Sequence, residues 1–146
     1  MKNTASLLFV LFLITACGST KHLLQNQNTT VTAKGRFEVQ GIWIKDKNSH
    51  YDVRLELNSL VETSQRIYRR DMVCGRGSDT GEIIKIGGTD GDGMGVTLPP
   101  NRAREFYIVC KTPDHEGDFW VEFKSVYDGG KLRNKTPLGL KWVFKQ

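Results

Sequence analysis

Apolar and polar residues alternate along several short segments of this chain. The clearest segment is 52–57, in which Val53, Leu55 and Leu57 are separated by charged residues. Because successive side chains of a β-strand point to opposite faces, this period of two predicts strands with one buried and one solvated face. The predicted strands are 36–44, 52–57, 66–74, 82–86, 104–110, 119–124 and 138–144.

The number and spacing of these segments predict the fold class. Seven or eight short strands separated by turn-rich stretches are typical of an all-β antiparallel β-sandwich with immunoglobulin-like architecture, or of a small barrel. No stretch keeps a helical period beyond two turns, although a one-turn helix over 57–63 is an alternative. A chain of 146 residues with 25% charged residues, 15 Gly and 4 Pro has the length of one domain and is neither collagen-like nor highly charged and disordered.

The first residues have the composition of a targeting segment. Lys2 supplies a positive charge, and the only long apolar run of the sequence, 7–14, follows it. Eight apolar residues suit the hydrophobic region of a signal peptide, whereas a helix that spans a bilayer needs about 20. We therefore expect residues 1–16 to be a signal peptide that takes no part in the fold.

A short motif, Ile14, Thr15, Ala16 and Cys17, stands where this apolar run ends. It resembles the lipobox of bacterial lipoproteins, in which an aliphatic residue and two small residues precede the cysteine that becomes the lipidated first residue. The resemblance covers the signal only. It implies that Cys17 carries the lipid and anchors the chain in the cell envelope, and under the enterobacterial sorting rule Gly18 implies the outer membrane, facing the periplasm or the cell surface. The alternative is a secretory signal without lipid and a cysteine placed there by chance.

The segment 17–34 is rich in Asn, Gln, Thr and Lys and holds few apolar residues. Such a composition buries too little apolar surface to order itself, so we expect a lipidated polar tether. As a flexible coil it would have a root-mean-square reach of about 20 to 25 Å. The β-sandwich domain is expected to occupy 35–146.

The three cysteines fit this division of the chain. With Cys17 assigned to lipid, Cys74 and Cys110 remain as a pair in an oxidising compartment, which favours a disulfide between them. Both have the parity of apolar residues on their predicted strands, so both thiols are expected to point into the core. The alternative is a pair of buried free thiols. The apolar residues of the same parity are Tyr68 and Met72 on the first strand and Phe106 and Ile108 on the second.

Glycine is concentrated in residues 75–95, where eight of 21 residues are glycines. Glycine at this density makes loops, and loops on a rigid sheet often carry function. Asp90 and Asp92 are weak candidate ligands for calcium, but the spacing fails as an EF-hand because Met94 and Asn101 stand where oxygen ligands are needed. We favour a pair of Asp-Gly turns and expect neither a metal nor a cofactor.

Catalytic motifs are sparse. His115 lies between Asp114 and Glu116, and such a cluster could orient a general base or hold a metal. No nucleophile motif of the Gly-x-Ser-x-Gly kind accompanies it. We favour a polar hairpin loop here and assign no catalytic residue. A small periplasmic hydrolase that uses His115 and nearby carboxylates is the alternative function.

Arginines are concentrated around the two predicted strands that end in the cysteines. Because guanidinium groups bind phosphate and carboxylate in a bidentate manner, these arginines are candidates for a surface that binds an anion or a partner. A disulfide between the strand ends would bring the two groups near one another. The alternative is a solvated charged face. The candidates are Arg66, Arg69, Arg70, Arg76, Arg102 and Arg104.

The sequence therefore predicts a membrane-anchored envelope lipoprotein that is not an enzyme and acts as a binding or assembly module. Its expected partners are the membrane, through the lipid anchor, and an anionic envelope polymer or a protein complex. Nucleic acid is not expected, since the envelope holds little of it. The net charge of +5 is a weak signal for any of these partners.

Overall fold

The computed structural model describes residues 21–23, 30–31, 37–47, 50–113, 116–129 and 135–144. These residues form twelve β-strands in two antiparallel sheets of six strands each. One hydrophobic core takes residues from both sheets, which confirms the predicted all-β antiparallel sandwich. Within the same ranges, no helix is long and apolar enough to cross a membrane.

The strands are numbered in chain order, and a 3₁₀ turn, Arg69–Asp71, lies between the fifth and the sixth. They are β1 (Lys21–Leu23), β2 (Thr30–Val31), β3 (Phe37–Asp46), β4 (His50–Ser59), β5 (Gln65–Tyr68), β6 (Met72–Arg76), β7 (Asp79–Thr80), β8 (Glu82–Gly87), β9 (Gly95–Leu98), β10 (Ala103–Lys111), β11 (Phe119–Asp128) and β12 (Lys135–Phe144).

The first sheet has the strand order β1-β3-β4-β10-β8, and β2 also pairs with β3. Its centre is the pairing of β4 with β10, which runs from Ala103 opposite Asn58 to Lys111 opposite His50. In the second sheet, β11 pairs with β12 on one side and with both β5 and β6 on the other. The outer neighbours of these two strands are β9 along β5 and β7 along the end of β6.

The alternating apolar residues of the sequence form the core between the sheets. On β4, Tyr51, Val53, Leu55 and Leu57 are at most 2% exposed, whereas Arg54 between them is exposed. Burying each large apolar side chain stabilises the fold by about 1.5–3 kcal/mol. The same alternation holds on β10, as predicted, and on the first half of β11 it holds except at Trp120, which is 6% exposed. The buried residues there are Phe106, Ile108, Cys110, Phe119, Val121 and Phe123.

The predicted strand 66–74 is interrupted, which is a correction to the sequence analysis. The β5–β6 segment pairs with β11 at two places. Between these places it has two more residues than β11 has, and the 3₁₀ turn Arg69–Asp71 accommodates them. Before the turn an odd-numbered residue, Ile67, faces the core, and after it an even-numbered residue, Met72, does so. Tyr68, an even-numbered residue before the turn, is therefore only partly buried. The outward tyrosine therefore belongs to the surface of the second sheet.

Cys74 on β6 and Cys110 on β10 form a disulfide that joins the two sheets through the core. Their Cα atoms are 6.3 Å apart, and both residues are fully buried. The predicted disulfide is confirmed, and the alternative of two free thiols is wrong. The bridge also fixes the position of the β5–β6 segment relative to β8, because β8 pairs with β10, the strand that carries Cys110.

Two short strands, β1 and β2, lie within the predicted tether, and both pair with β3. At these residues the backbone forms paired strands, whereas a coil was expected. Without them, the outer edge of β3 would present unpaired N–H and C=O groups, and pairing with those groups requires no apolar side chains. The tether as a whole stays a prediction, as do the boundaries of the signal peptide and of the domain.

The strand count is higher than expected, since nine of the described strands have four or more residues. The break in 66–74 adds one strand, and β9 adds another. The one-turn helix over 57–63 is not formed: residues 57–59 complete β4, and the chain bends after them. Cys17 and His115 lie outside the described residues, so lipidation and the hydrolase alternative stay predictions.

Candidate functional site

An open groove lies where the broken edge of the second sheet approaches β8, the last strand in the order of the first sheet. We call it the edge groove. Its volume is about 660 Å³, within the range of about 300–1,000 Å³ typical of small-molecule sites. It is lined by Tyr68, Arg69, Arg70, Met72, Val73, Gly81, Glu82, Ile83, Gly93 and Met94.

The groove exists because no described strand pairs with residues 69–73 on the side that faces away from β11. The neighbouring strand β9 ends its pairing at Tyr68, and β7 begins to pair with β6 only at Gly75. The gap between them is bounded by β8 and by the glycine-rich loop 88–95. Thus the 3₁₀ turn, which the sequence pattern did not reveal, creates the opening.

Arg69 ties together the three elements around the groove. Its backbone N–H donates to the carbonyl oxygen of Met94 in the loop, at 2.9 Å. Its guanidinium Nη2 donates to the carbonyl oxygen of Ile83 on β8, at 2.6 Å. Arg69 is therefore engaged in holding the walls of the groove in place.

Arg70 presents its charge to solvent at the same turn. The guanidinium carbon lies 4.7 Å from the centroid of the Tyr68 ring and 5.9 Å from that of Tyr127, and the two rings contact each other edge to face at 5.0 Å. Hydrogen bonding to Tyr127 raises the pKa of Arg70. Asp71 is a neighbouring carboxylate, with 3.9 Å between Arg70 Nε and Asp71 Oδ2. The side chain of Arg70 is nevertheless 60% exposed, so its charge is accessible to a ligand.

Two arginines and two aspartates hold the glycine-rich loop, and we call them the loop clamp: Arg66, Asp90, Asp92 and Arg104. Asp90 is the centre, because Arg104 Nη1 donates to its Oδ1 at 2.8 Å and Thr97 Oγ1 donates to its Oδ2 at 2.6 Å. Arg66 forms an ion pair with Asp92, and its Nε lies 3.6 Å from Asp90 Oδ2. The clamp thus joins β5 and β10, one strand from each sheet, to the loop.

Further hydrogen bonds fix the path of the loop. Arg104 donates to the carbonyl oxygens of Thr97 and Gly88, at 2.8 and 2.9 Å. Asp92 Oδ1 accepts from the backbone N–H of Met94 at 3.0 Å. These contacts set the position of Met94, whose side chain is 59% exposed although it is apolar. The clamp therefore positions one wall of the edge groove.

The clamp lowers the pKa of both aspartates. For Asp90, burial is the largest influence and opposes the change, but hydrogen bonds from Thr97 and Arg104 outweigh it, and the pKa is lowered. For Asp92, the backbone N–H of Met94 is the main cause of a lowered pKa, followed by the arginine paired with it. The folded clamp therefore favours the ionised carboxylates.

The first prediction is that Asp90→Asn lowers the free energy of unfolding at neutral pH by about 1–2 kcal/mol, a modest value because Asp90 is partly exposed. A carboxyl group whose pKa is depressed by folding stabilises the fold above its unfolded pKa of about 3.9, and this contribution is lost as the pH falls through the folded pKa. The unmodified protein should therefore lose stability below about pH 4, and Asp90→Asn should lose less.

Urea unfolding of both proteins at about pH 7 and about pH 3 measures this difference. Glu62→Gln, on an exposed bend, serves as the control and should behave like the unmodified protein. If Asp90→Asn has the same stability as the unmodified protein at both pH values, Asp90 does not hold the loop.

The structure divides the six candidate arginines into separate groups. Arg69 and Arg70 lie on the 3₁₀ turn, not on alternate faces of a strand, and both line the edge groove. The other four do not line it. Arg66 and Arg104 both contact Asp90, and Arg66 also contacts Asp92. Arg76 lies over the Tyr51 ring at 5.6 Å and donates to Gly117, and Arg102 is exposed in the turn before β10.

The two candidate calcium ligands, Asp90 and Asp92, are both paired with guanidinium groups. Among the described residues, no group of three or more His, Cys, Asp or Glu side chains could hold a metal ion. Tyr68, Met94 and Ile83 were not predicted as groove residues. An apolar methionine inside a loop of Asp-Gly turns was the one local signal available, because the other two belong to ordinary strands.

No family model matches this chain, and no curated protein matches it. Among solved structures, it is similar to a Bacillus subtilis protein, ycdA, described as a candidate lipoprotein, with 12% sequence identity and a TM-score of 0.48. The similarity covers 83% of this chain and 39% of that chain, so this chain spans about two-fifths of the length of the protein it resembles. At this TM-score, we draw neither a family nor a function from the likeness.

Proposed function

We propose that this chain is an envelope lipoprotein whose β-sandwich is a binding module without catalytic activity, and that the edge groove binds an anionic envelope component. The observation that carries the proposal is Arg70. Its guanidinium is exposed, stacked on the Tyr68 ring and placed beside an open groove. A positive charge held in this way is suited to a phosphate or carboxylate group.

Two features support the envelope location. The motif that ends in Cys17 resembles a lipobox, which implies export and a lipid anchor. The disulfide between Cys74 and Cys110 forms and persists most readily in an oxidising compartment. Neither feature depends on the groove, so the location and the binding site are supported by independent observations.

The surroundings of Arg70 favour binding over a merely solvated charge. Stacking on Tyr68 restricts the rotamers of the side chain, so less conformational entropy is lost when a ligand is bound. The turn that carries Arg70 is fixed by the hydrogen bonds of Arg69 to the loop and to β8. The cation is therefore presented from a rigid frame.

The second prediction concerns binding of the full chain, with Cys17→Ser to remove the anchor, to envelopes isolated from the producing cells. We expect this binding to weaken steeply as salt is added, because exposed charges are screened beyond about 8 Å at physiological ionic strength. Arg70→Glu should weaken it by about tenfold or more, the effect of losing one charge-assisted hydrogen bond. Co-sedimentation over a series of salt concentrations measures both effects.

Arg102→Glu is the matched control, because it makes the same charge change at an exposed position outside the groove. It should bind as the unmodified chain does, and it should change the free energy of unfolding by no more than about 0.5 kcal/mol. Reversal of Arg66 or Arg104 should instead lower the melting temperature, because both belong to the loop clamp. Binding that resists salt, or that falls equally for Arg70→Glu and Arg102→Glu, would contradict the proposal.

A further inference from the structure

We infer that the edge groove takes a single-chain amphiphile, a molecule with one phosphate or carboxylate group and a flexible apolar chain. This inference rests on the proposed function and adds the class of ligand. The anionic group would lie at Arg70, and the apolar chain would lie along Met72, Ile83 and Met94, which also line the groove.

Part of the groove lining is apolar. Met94 exposes 59% of its surface although hydrogen bonds hold its backbone in place on both sides. Ile83 is partly buried and packs against the core, and Met72 is 5% exposed, so the floor of the groove is continuous with the core. Methionine side chains are flexible and polarisable, and they adapt to apolar ligands of varied shape. A bound apolar chain would remove Met94 from water at little cost in reorganisation.

The two walls of the groove differ in charge. Arg70 stands on the wall formed by the 3₁₀ turn, and Glu82 stands on the opposite wall, at the start of β8. The second guanidinium, that of Arg69, already donates to Ile83. Asp71 is on the same turn as Arg70, but its side chain is only 12% exposed, whereas that of Arg70 is 60% exposed, so the solvent-facing charge of this wall is positive. An anionic group is therefore attracted to the Arg70 wall and repelled from the Glu82 wall, which gives the ligand one orientation.

The same contacts disfavour an extended peptide, the other occupant that a gap between strands suggests. Strand addition needs a row of backbone groups along the edge of a sheet. On β8, the Ile83 carbonyl oxygen accepts from Arg69, and on the other wall the 3₁₀ turn interrupts the edge. A ligand that uses side chains and one charge fits this site better than one that uses a backbone ladder.

The test uses the full chain with Cys17→Ser, purified without detergent, and isothermal titration with dodecyl phosphate below its micelle concentration. Dodecyl phosphate is expected to bind at least about tenfold more tightly than inorganic phosphate and than dodecyltrimethylammonium. Arg70→Gln should weaken binding by about tenfold, and Met94→Ser by about fivefold. Glu82→Gln should strengthen binding by about two- to fivefold, since it removes a like charge. Arg102→Gln should leave binding unchanged.

The outcomes separate this inference from the proposed function. If dodecyl phosphate binds no better than inorganic phosphate while Arg70→Glu still weakens binding to envelopes, the site binds anions but takes no apolar chain, and the inference is overturned. If the cationic amphiphile binds equally well, or if Arg70→Gln and Met94→Ser have no effect, binding is non-specific and the inference is again overturned. Displacement of dodecyl phosphate by an extended peptide with a blocked carboxyl end would favour the peptide occupant instead.

Discussion

Reduction of the disulfide between Cys74 and Cys110 is expected to lower the free energy of unfolding by about 4 kcal/mol. The two cysteines are separated by 36 positions, and the bridge restricts the unfolded chain over that whole loop. Because native domains are stable by only about 5–15 kcal/mol, a loss of this size removes a large fraction of the total. The bridge also joins the two sheets beside the edge groove, so the groove should lose its shape with the fold.

Chemical unfolding with and without reductant measures this effect. The double variant Cys74→Ala/Cys110→Ala is the control, because reductant should no longer change its stability. Thiol titration of the denatured, unreduced protein should find neither of these two cysteines free. An unfolding midpoint that reductant leaves unchanged would show that the bridge does not stabilise the domain.

Cys17→Ser is expected to abolish lipidation and release the chain from membranes. The expectation follows from the lipobox resemblance, because in that motif the thiol of the cysteine is the group that accepts lipid. Each buried methylene of an acyl chain contributes about 0.8 kcal/mol, and several chains together anchor a protein stably where one does not. Loss of the lipid should therefore leave protein that is either unprocessed or soluble.

Cell fractionation of the two proteins measures this change, and globomycin treatment of cells with the unmodified gene should lead to accumulation of the unprocessed form. Gly18→Ala is the matched control, because it alters the neighbouring residue and keeps the thiol, and it should remain with the membranes. A Cys17→Ser chain that is processed and stays membrane-bound would mean that the motif is not a lipobox.

Most of the core could be predicted from the sequence. The alternation from Tyr51 to Leu57 on β4 defined one inner face, and the same pattern on β10 and β11 defined its partners. The parity of Cys110 with Phe106 was correct for the same reason. These successes share a cause: in a strand, the direction of a side chain depends only on its position in the local sequence.

The edge groove could not be predicted, although several of its residues were named as candidates. The groove opens because the β5–β6 segment has two more residues than the part of β11 that lies opposite it. The sequence of one segment does not show how many residues its partner strand has. This is why Tyr68 was assigned to the core and why Arg69 and Arg70 were placed on a strand. The roles of Arg66 and Arg104 likewise depended on Asp92 and Asp90, which lie 26 and 14 positions away from them.

The sequence by itself determined the β-rich class, most of the strands and the inward faces of the clearest ones, because hydrophobic periodicity is a local property of the chain. It also favoured a disulfide between Cys74 and Cys110 over two free thiols. Only the tertiary structure decided which arginines are accessible to a ligand. The charge of Arg66 or Arg104 is used within the fold, whereas that of Arg70 faces solvent beside the groove. That difference arises from contacts between strands that are distant along the chain, and no local pattern of residues records such contacts.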